Sequence, residues 1–129
     1  MTFRETLDKH LGAIHGRDLK ALAETLPDDR LVLIMSNGRL VETRQEFLDL
    51  HRGWFESDTW RLEARPVSVR ETADMGAAVL HLDYRDTLPG GEPLHETSYL
   101  TLVFVRQGDR WVMALDQNTP IRHPPGEVV

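Results

Sequence analysis

The sequence predicts an α+β fold in which three helices cover one face of a curved, mostly antiparallel sheet. In the first half of the chain, apolar residues recur at helical spacing in three segments. From Thr59 onward the apolar pattern has a period of two, and turn residues divide it into strands. The predicted order of elements is therefore α-α-β-β-α-β-β-β-β.

Two helices open the predicted domain. Thr2 and Glu5 have the spacing of a capping box, and apolar residues continue at helical intervals to about residue 15. Asp18 can cap a second, shorter helix, which ends at Pro27. These signals predict a helical hairpin.

A strand pair and a third helix follow. The apolar segment 31–35 predicts a strand, and Asn37-Gly38 predicts that the chain turns back through a two-residue type I′ turn. Thr43 and Glu46 again have capping-box spacing and predict a helix that ends near Ser57. One face of this helix carries Phe47, Leu50, His51, Trp54 and Phe55.

Turn positions predict the register of the hairpin that follows the third helix. A turn near Ala73 pairs Leu62 with Tyr84 and Ala64 with Leu82 on the core face. The opposite face then carries a charged cluster, for which a solvated or dimer-forming surface is the expected role: Arg61, Glu63, Arg65, His81, Asp83 and Arg85.

The register of the last hairpin follows from a two-residue turn at 108–109. That turn pairs Leu102 with Leu115 and Leu100 with Gln117, provided that the strands contain no bulge. Leu115 and Gln117 are then expected on the core face, whereas Asp116 and Asn118 are expected to face away from it.

Composition indicates one soluble domain, which we expect to span residues 1–122 and to be followed by a proline-rich tail at 123–129. The chain has 129 residues and no apolar segment near the roughly 20 residues that a membrane-spanning helix needs. It contains no cysteine, which excludes disulfides and thiolate sites, and its N-terminus has no apolar leader, so we expect a cytoplasmic protein. A formal charge of −6 without a basic cluster argues against nucleic acid as a partner.

Several segments, in this order of elements, resemble the nuclear transport factor 2-like superfamily: 16–22, 38–47, 99–104, 108–111 and 117–120. The resemblance covers nearly the whole chain and is greatest to the SnoaL-like proteins and to a bacterial branch related to the association domain of calcium/calmodulin-dependent protein kinase type two. It implies a cone-shaped α+β barrel in which the helices close a conical cavity, and it implies a homodimer.

The ketosteroid isomerases of this superfamily use a tyrosine on the first helix, an aspartate near the end of the first strand and a protonated aspartate on a late strand. The resemblance places His10, Ser36 and an apolar residue near Leu102 at these positions. The base and the acidic donor of those enzymes are therefore expected to be missing, which argues against ketosteroid-type proton abstraction.

Candidate site residues are those expected to face the cavity, which is predicted to be mostly apolar. His10 and His51 lie in the apolar stripes of the first and third helices and are the candidate catalytic bases, with packed or partly solvated histidines as the alternative role. No metal or other cofactor is expected, because no acidic residue accompanies them on those faces. The candidate ligand-binding residues, for which ordinary core packing is the alternative role, are Trp54, Tyr84, Leu115 and Gln117.

Three functions agree with these residues. The first is turnover of a small apolar organic molecule by cofactor-free acid–base chemistry of the isomerase, cyclase or dehydratase type. The second is binding of such a molecule without turnover. The third is an oligomerisation or association module that works through the charged face of the sheet. The expected partners are the small ligand and a second copy of the chain, with neither nucleic acid nor membrane involved.

Overall fold

The computed structural model describes residues 1–122, and over this range the helices and strands follow the predicted order. The helices are α1 (Phe3–His15), α2 (Leu19–Ala23) and α3 (Arg44–Phe55). The strands are β1 (Arg30–Ile34), β2 (Leu40–Thr43), β3 (Arg61–Glu71), β4 (Met75–Thr87), β5 (Pro93–Gln107) and β6 (Arg110–Pro120). They form one sheet in the order β2-β1-β6-β5-β4-β3, in which β1 and β6 run parallel and the other neighbours run antiparallel. The tail predicted at 123–129 lies outside the described residues.

Local side-chain caps start all three helices. The Thr2 hydroxyl accepts from the Glu5 N–H at 3.1 Å and the Glu5 carboxylate accepts from the Thr2 N–H at 2.8 Å, which completes the predicted capping box. Asp18 caps α2 by accepting from the N–H of residue 21 at 3.0 Å. Thr43 accepts from the Glu46 N–H at 3.2 Å. The starts of the helices are thus determined by residues next to them in the sequence.

The turn between β1 and β2 differs from the predicted type I′ turn. Gly38 has a φ of 89°, but Asn37 lacks the positive φ that a type I′ turn requires at its first central residue. The chain instead forms a three-residue loop, in which the Gly38 N–H donates to the Met35 carbonyl at 2.8 Å. The Asn37 side chain accepts from the Arg39 N–H at 3.0 Å, a bond that favours this wider loop.

The predicted β3–β4 register is confirmed. Leu62 pairs with Tyr84 and Ala64 with Leu82, while the charged residues oppose one another on the outward face. A bulge after Pro66 lies beyond these pairs and leaves them unchanged.

A bulge in β6 overturns the predicted β5–β6 register. Phe104 pairs with Met113 as bulge-free strands would require, but Val103 pairs with Leu115, so Ala114 is an extra residue in β6. The Met113 N–H donates to the backbone carbonyl of residue 25 at 2.9 Å, and this partner from the α2–β1 connection accompanies the bulge.

The bulge exchanges the faces of the second half of β6. Leu100 pairs with Asn118 rather than with Gln117, so Asp116 and Asn118 point to the helix-covered face. Leu115 and Gln117 point outward, which contradicts their predicted orientation. A shift of one residue moves every later side chain to the other face of the sheet.

Phe3 packs α1 against the sheet. Its ring is fully buried and lies 5.7 Å from the Phe104 ring and 5.6 Å from the Trp111 ring. A Cβ atom at Gly76 would lie 2.5 Å from the Phe3 ring, so glycine is required on β4 where the helix residue meets the strand.

Candidate functional site

A cavity of about 820 Å³ lies between the helices and the helix-covered face of the sheet. Apolar side chains contribute part of its lining: Ile14, Leu33, Met35, Leu50, Trp54, Leu62, Leu82, Leu100, Pro120 and Ile121. Polar residues contribute the rest: Ser36, Asn37, His51, Tyr84, His95, Glu96, Thr97, Ser98, Asp116, Asn118 and Arg122. The size suits a small organic molecule, and the lining offers both contact area and hydrogen-bonding groups.

Asp116 is the buried carboxyl group of this cavity. Its residue is 5% exposed, and its Oδ1 accepts a hydrogen bond from Asn118 Nδ2 at 2.9 Å. Asn118 Nδ2 also donates to the Ile34 carbonyl at 3.2 Å, which holds the amide in place. Burial raises the pKa of the Asp116 carboxyl to about 7, against the opposing effect of the Asn118 bond. At neutral pH this group can therefore both give and accept a proton.

Sequence reasoning missed Asp116 because it assigned the residue to the outward face. The register prediction placed Leu115 and Gln117 in the cavity, whereas the structure leaves Leu115 half-buried and Gln117 exposed on the outward face. A signal was present in the sequence, since the five successive apolar residues 111–115 break the alternation of a regular strand. The first three of them are buried.

His51 lines the cavity from α3, as predicted. Its Nδ1 donates to the Phe47 carbonyl at 2.8 Å, so the neutral ring keeps Nε2 as an acceptor. The ring stacks on the Phe47 ring with centroids 4.0 Å apart. Burial lowers the pKa of His51, and the bond to Phe47 acts in the opposite direction. The site thus contains a neutral imidazole with its orientation fixed.

His10 lies in the core and is 0% exposed, rather than in the cavity lining where it was predicted. Its Nδ1 donates to the Thr25 hydroxyl at 2.7 Å, because that hydroxyl donates its own proton to the Leu22 carbonyl at 2.7 Å. Burial, with a smaller contribution from His51, lowers the pKa of His10 to about 3. The cavity lining therefore contains His51 and Asp116 but not His10.

Trp54 and Tyr84 form an aromatic wall of the cavity, as predicted. Trp54 stacks on Trp60 with ring centroids 4.2 Å apart, and Trp60 Nε1 donates to the Trp54 carbonyl at 3.0 Å. The Arg17 guanidinium lies 3.9 Å from the centre of the Trp60 ring and donates to the carbonyls of Ser57 and Trp60. The Trp60 indole, with the Arg17 guanidinium stacked on it, thus packs against this wall.

Residues 4–117 match the family model described as a SnoaL-like domain. The chain belongs to the SnoaL-like domain family. This family lies within the nuclear transport factor 2-like superfamily, which confirms the resemblance seen in the sequence. A search of curated proteins finds no match for the SnoaL-like domain described here.

Solved structures share the fold of this SnoaL-like domain. A candidate calcium/calmodulin-dependent protein kinase type II association domain from Thiobacillus denitrificans is 20% identical, with a TM-score of 0.77 over 94% of this chain and 96% of that one. A ketosteroid isomerase-like protein from Erwinia carotovora is 17% identical, with a TM-score of 0.76 over 93% and 94%. A nuclear transport factor 2-like superfamily protein from Salmonella enterica is 13% identical, with a TM-score of 0.77 over 97% and 93%. At these identities the likeness shows the fold alone.

The resemblance predicts that the two aspartates of the ketosteroid isomerases are missing from this chain. The cavity of this SnoaL-like domain nevertheless contains an acidic group. Ser36 lines the cavity, and Leu102, near the expected position of the acidic donor, is fully buried. Leu102 pairs directly with Asp116 on β6, so a carboxyl group reaches the cavity from the neighbouring strand.

Residues 1–122 contain neither a metal-binding cluster nor a membrane-spanning helix. This part of the chain contains no group of three or more His, Asp or Glu side chains arranged to hold a metal ion. It also contains no helix with the length and apolar character needed to cross a membrane.

Proposed function

We propose that this SnoaL-like domain binds a small neutral organic molecule and catalyses cofactor-free acid–base chemistry on it, with Asp116 as the group that donates and accepts the proton. The observation that supports this most directly is a buried carboxyl with a pKa of about 7 in the wall of an 820 Å³ cavity. Isomerases, cyclases and dehydratases all move a proton between atoms of the substrate, and a group with this pKa suits both directions.

The surroundings of Asp116 define a role for each neighbour. Because Asn118 occupies Oδ1, Oδ2 is the oxygen available for proton exchange with a ligand. His51 provides a neutral hydrogen-bond acceptor through Nε2 and is the second candidate base. Trp54 and the leucines of the lining supply apolar contact area, and their burial by a ligand would drive binding.

Catalysed exchange of carbon-bound hydrogen tests this proposal without knowledge of the natural substrate. Wild-type protein in D₂O should accelerate deuterium incorporation next to the carbonyl group of an enolisable ketone such as 2-decalone, as measured by NMR. Asp116→Asn should reduce the rate by about 100-fold or more, because it removes the proton-transferring group. His51→Gln tests the second candidate base in the same assay.

Glu63→Gln is the matched control for this experiment, since Glu63 is exposed on the outward face of β3. It should leave the rate unchanged. An Asp116→Asn variant as fast as wild type, or a wild-type rate equal to that of buffer, would contradict the catalytic role.

We also propose that the domain forms a homodimer through the outward face of its sheet. This face carries Tyr99, which is 41% exposed, and Met75, which is 52% exposed. The half-buried apolar residues on the same face are Val79, Val103, Val105 and Leu115. Partly exposed apolar side chains gathered on one face favour contact between protein surfaces.

The cytoplasmic location stays a prediction from the cysteine-free sequence.

A further inference from the structure

Asp86 collects three hydrogen bonds just outside the cavity. It lies two residues after Tyr84 on β4, so both side chains are on the same face of the strand. Its Oδ1 accepts from the Thr59 hydroxyl at 2.6 Å and from the Thr87 N–H at 2.7 Å. Its Oδ2 accepts from the Tyr84 hydroxyl at 3.0 Å. The Thr59 bond foremost, then those from Thr87 and Tyr84, lower the pKa of Asp86, so the group is a carboxylate at neutral pH.

The charge on Asp86 fixes the direction of every bond in this group. A carboxylate has no proton to donate, so the hydroxyls of Tyr84 and Thr59 are the donors. Ser57 Oγ lies 3.0 Å from Thr59 Oγ1 and must donate to it, because the Thr59 proton already points to Asp86. The single proton of Tyr84 is therefore committed to Asp86, and its oxygen offers lone pairs to the cavity.

Other polar groups of the cavity also present acceptors. His51 uses its Nδ1 proton on Phe47, and both N–H bonds of Asn118 are used by Asp116 and the Ile34 carbonyl. Asn118 Oδ1 and His51 Nε2 thus remain as acceptors. The cavity offers these acceptors together with donors such as the Arg122 guanidinium and the Ser36 and Ser98 hydroxyls, so selectivity depends on the position of Tyr84 itself.

The Trp54 indole also acts on Tyr84, but it does not change the direction of the Tyr84–Asp86 hydrogen bond. Burial raises the pKa of Tyr84, the Trp54 indole lowers it by a smaller amount, and the Asp86 carboxylate raises it further. A phenol oxygen has two lone pairs, so it can accept from a ligand even with the Trp54 N–H close by.

We propose that the Tyr84–Asp86 pair makes the cavity select ligands that donate a hydrogen bond, such as alcohols and enols, over ketones and ethers of the same shape. Asp86 is then a specificity-determining residue that acts through Tyr84 from outside the cavity. This selectivity rests on the proposed function, because it requires the cavity to bind a neutral organic molecule. An unmet acceptor in a binding site disfavours a ligand that lacks the matching donor.

Two bicyclic probes of the same size, 2-decalol and 2-decalone, test the selectivity by titration calorimetry. The wild type should bind the alcohol about tenfold more tightly than the ketone, which is the effect of one hydrogen bond. Tyr84→Phe should abolish this preference, because it should weaken the binding of the alcohol.

Asp86→Asn is the most informative variant, because asparagine has the shape of aspartate but carries no charge. Thr59 and Thr87 both donate to Oδ1, so they should hold the amide oxygen there and turn the new NH₂ group toward Tyr84. Tyr84 then accepts from residue 86, and its own proton becomes free for the ligand. Affinity for 2-decalone should rise about tenfold and the alcohol preference should disappear.

Glu63→Gln on the neighbouring strand β3 is the matched control and should keep the wild-type preference. A second readout needs no ligand: the sequence has two tyrosines, so the ¹³Cζ titration of Tyr84 can be followed with Tyr99 as the internal reference. The pKa of Tyr84 should fall in Asp86→Asn, and an unchanged pKa would overturn the proposed bond direction. Equal affinity of the wild type for both probes would overturn the selectivity alone, whereas failure to bind either probe would overturn the proposed function as well.

Discussion

At the scale of single residues, His10 and Asp116 make the stability of this fold depend on pH in opposite directions. The neutral form of His10 is buried, and its folded pKa of about 3 lies below its ordinary value of 6.5. The unfolded chain therefore binds more protons as pH falls below 6.5, and the stability contributed by neutral His10 is lost progressively toward pH 3. Asp116 has a raised folded pKa, so its contribution is lost instead as pH rises from about 4 to 7.

Replacement of His10 should flatten the acid side of the stability profile. Between pH 6 and pH 4 the wild type should lose about 2 kcal/mol of unfolding free energy that His10→Leu does not lose, because leucine takes up no proton. Denaturant unfolding at several pH values measures this difference. His15→Leu, an exposed position on the same helix, is the control and should retain the wild-type slope. Parallel profiles for wild type and His10→Leu would rule out this source of acid sensitivity.

Replacement of Asp116 should have the opposite pH dependence. Asp116→Asn keeps an oxygen for the Asn118 bond but cannot ionise, so the variant should be more stable than the wild type above pH 7. The difference should shrink toward pH 4, where the wild-type carboxyl is protonated in the fold. Thermal unfolding at pH 8 and pH 5 checks this, and an advantage that did not grow with pH would contradict a buried ionisable group. A functional residue that costs stability is expected when a site requires an ionisable group away from water.

At the scale of elements, the parts of the fold that depend on neighbouring residues could be predicted from the sequence. The caps at Thr2, Asp18 and Thr43 bond to residues three positions ahead, so their chemistry is visible locally. The β3–β4 register was predictable for a similar reason, because the turn and the alternation of apolar residues agree. These local agreements account for the correct order of elements.

The β6 register depends on a partner distant in the sequence. The bulge at Ala114 coincides with the Met113 N–H bonding to the carbonyl of Thr25, which belongs to the connection after α2. His10 depends on the same residue, since the Thr25 hydroxyl accepts from its ring. A helical stripe or a strand alternation cannot distinguish core from cavity, so these tertiary contacts decide which of the predicted residues line the cavity.

At the scale of the whole molecule, the sheet separates the cavity from the surface that we propose for association. The helices cover one face of the sheet, and the cavity lies between them. Its lining includes Asp116 and Tyr84 from the strands and His51 from α3. The other face is left uncovered by the helices and combines apolar residues with the charged cluster that contains Arg61 and Arg85. Because the two faces are independent, association can be tested without disturbing the cavity.

Light scattering tests the proposed homodimer. The wild type should have twice the monomer mass of 14.8 kDa, and Tyr99→Lys should approach the monomer mass, because a new charge on the outward face disfavours its burial. Lys20→Glu, an exposed change on α2, is the control and should remain dimeric. Charge reversal of Arg61 and Arg85 together asks whether the charged part of the face contributes. A monomeric wild type, or a Tyr99→Lys variant of unchanged mass, would remove the outward face as the site of association.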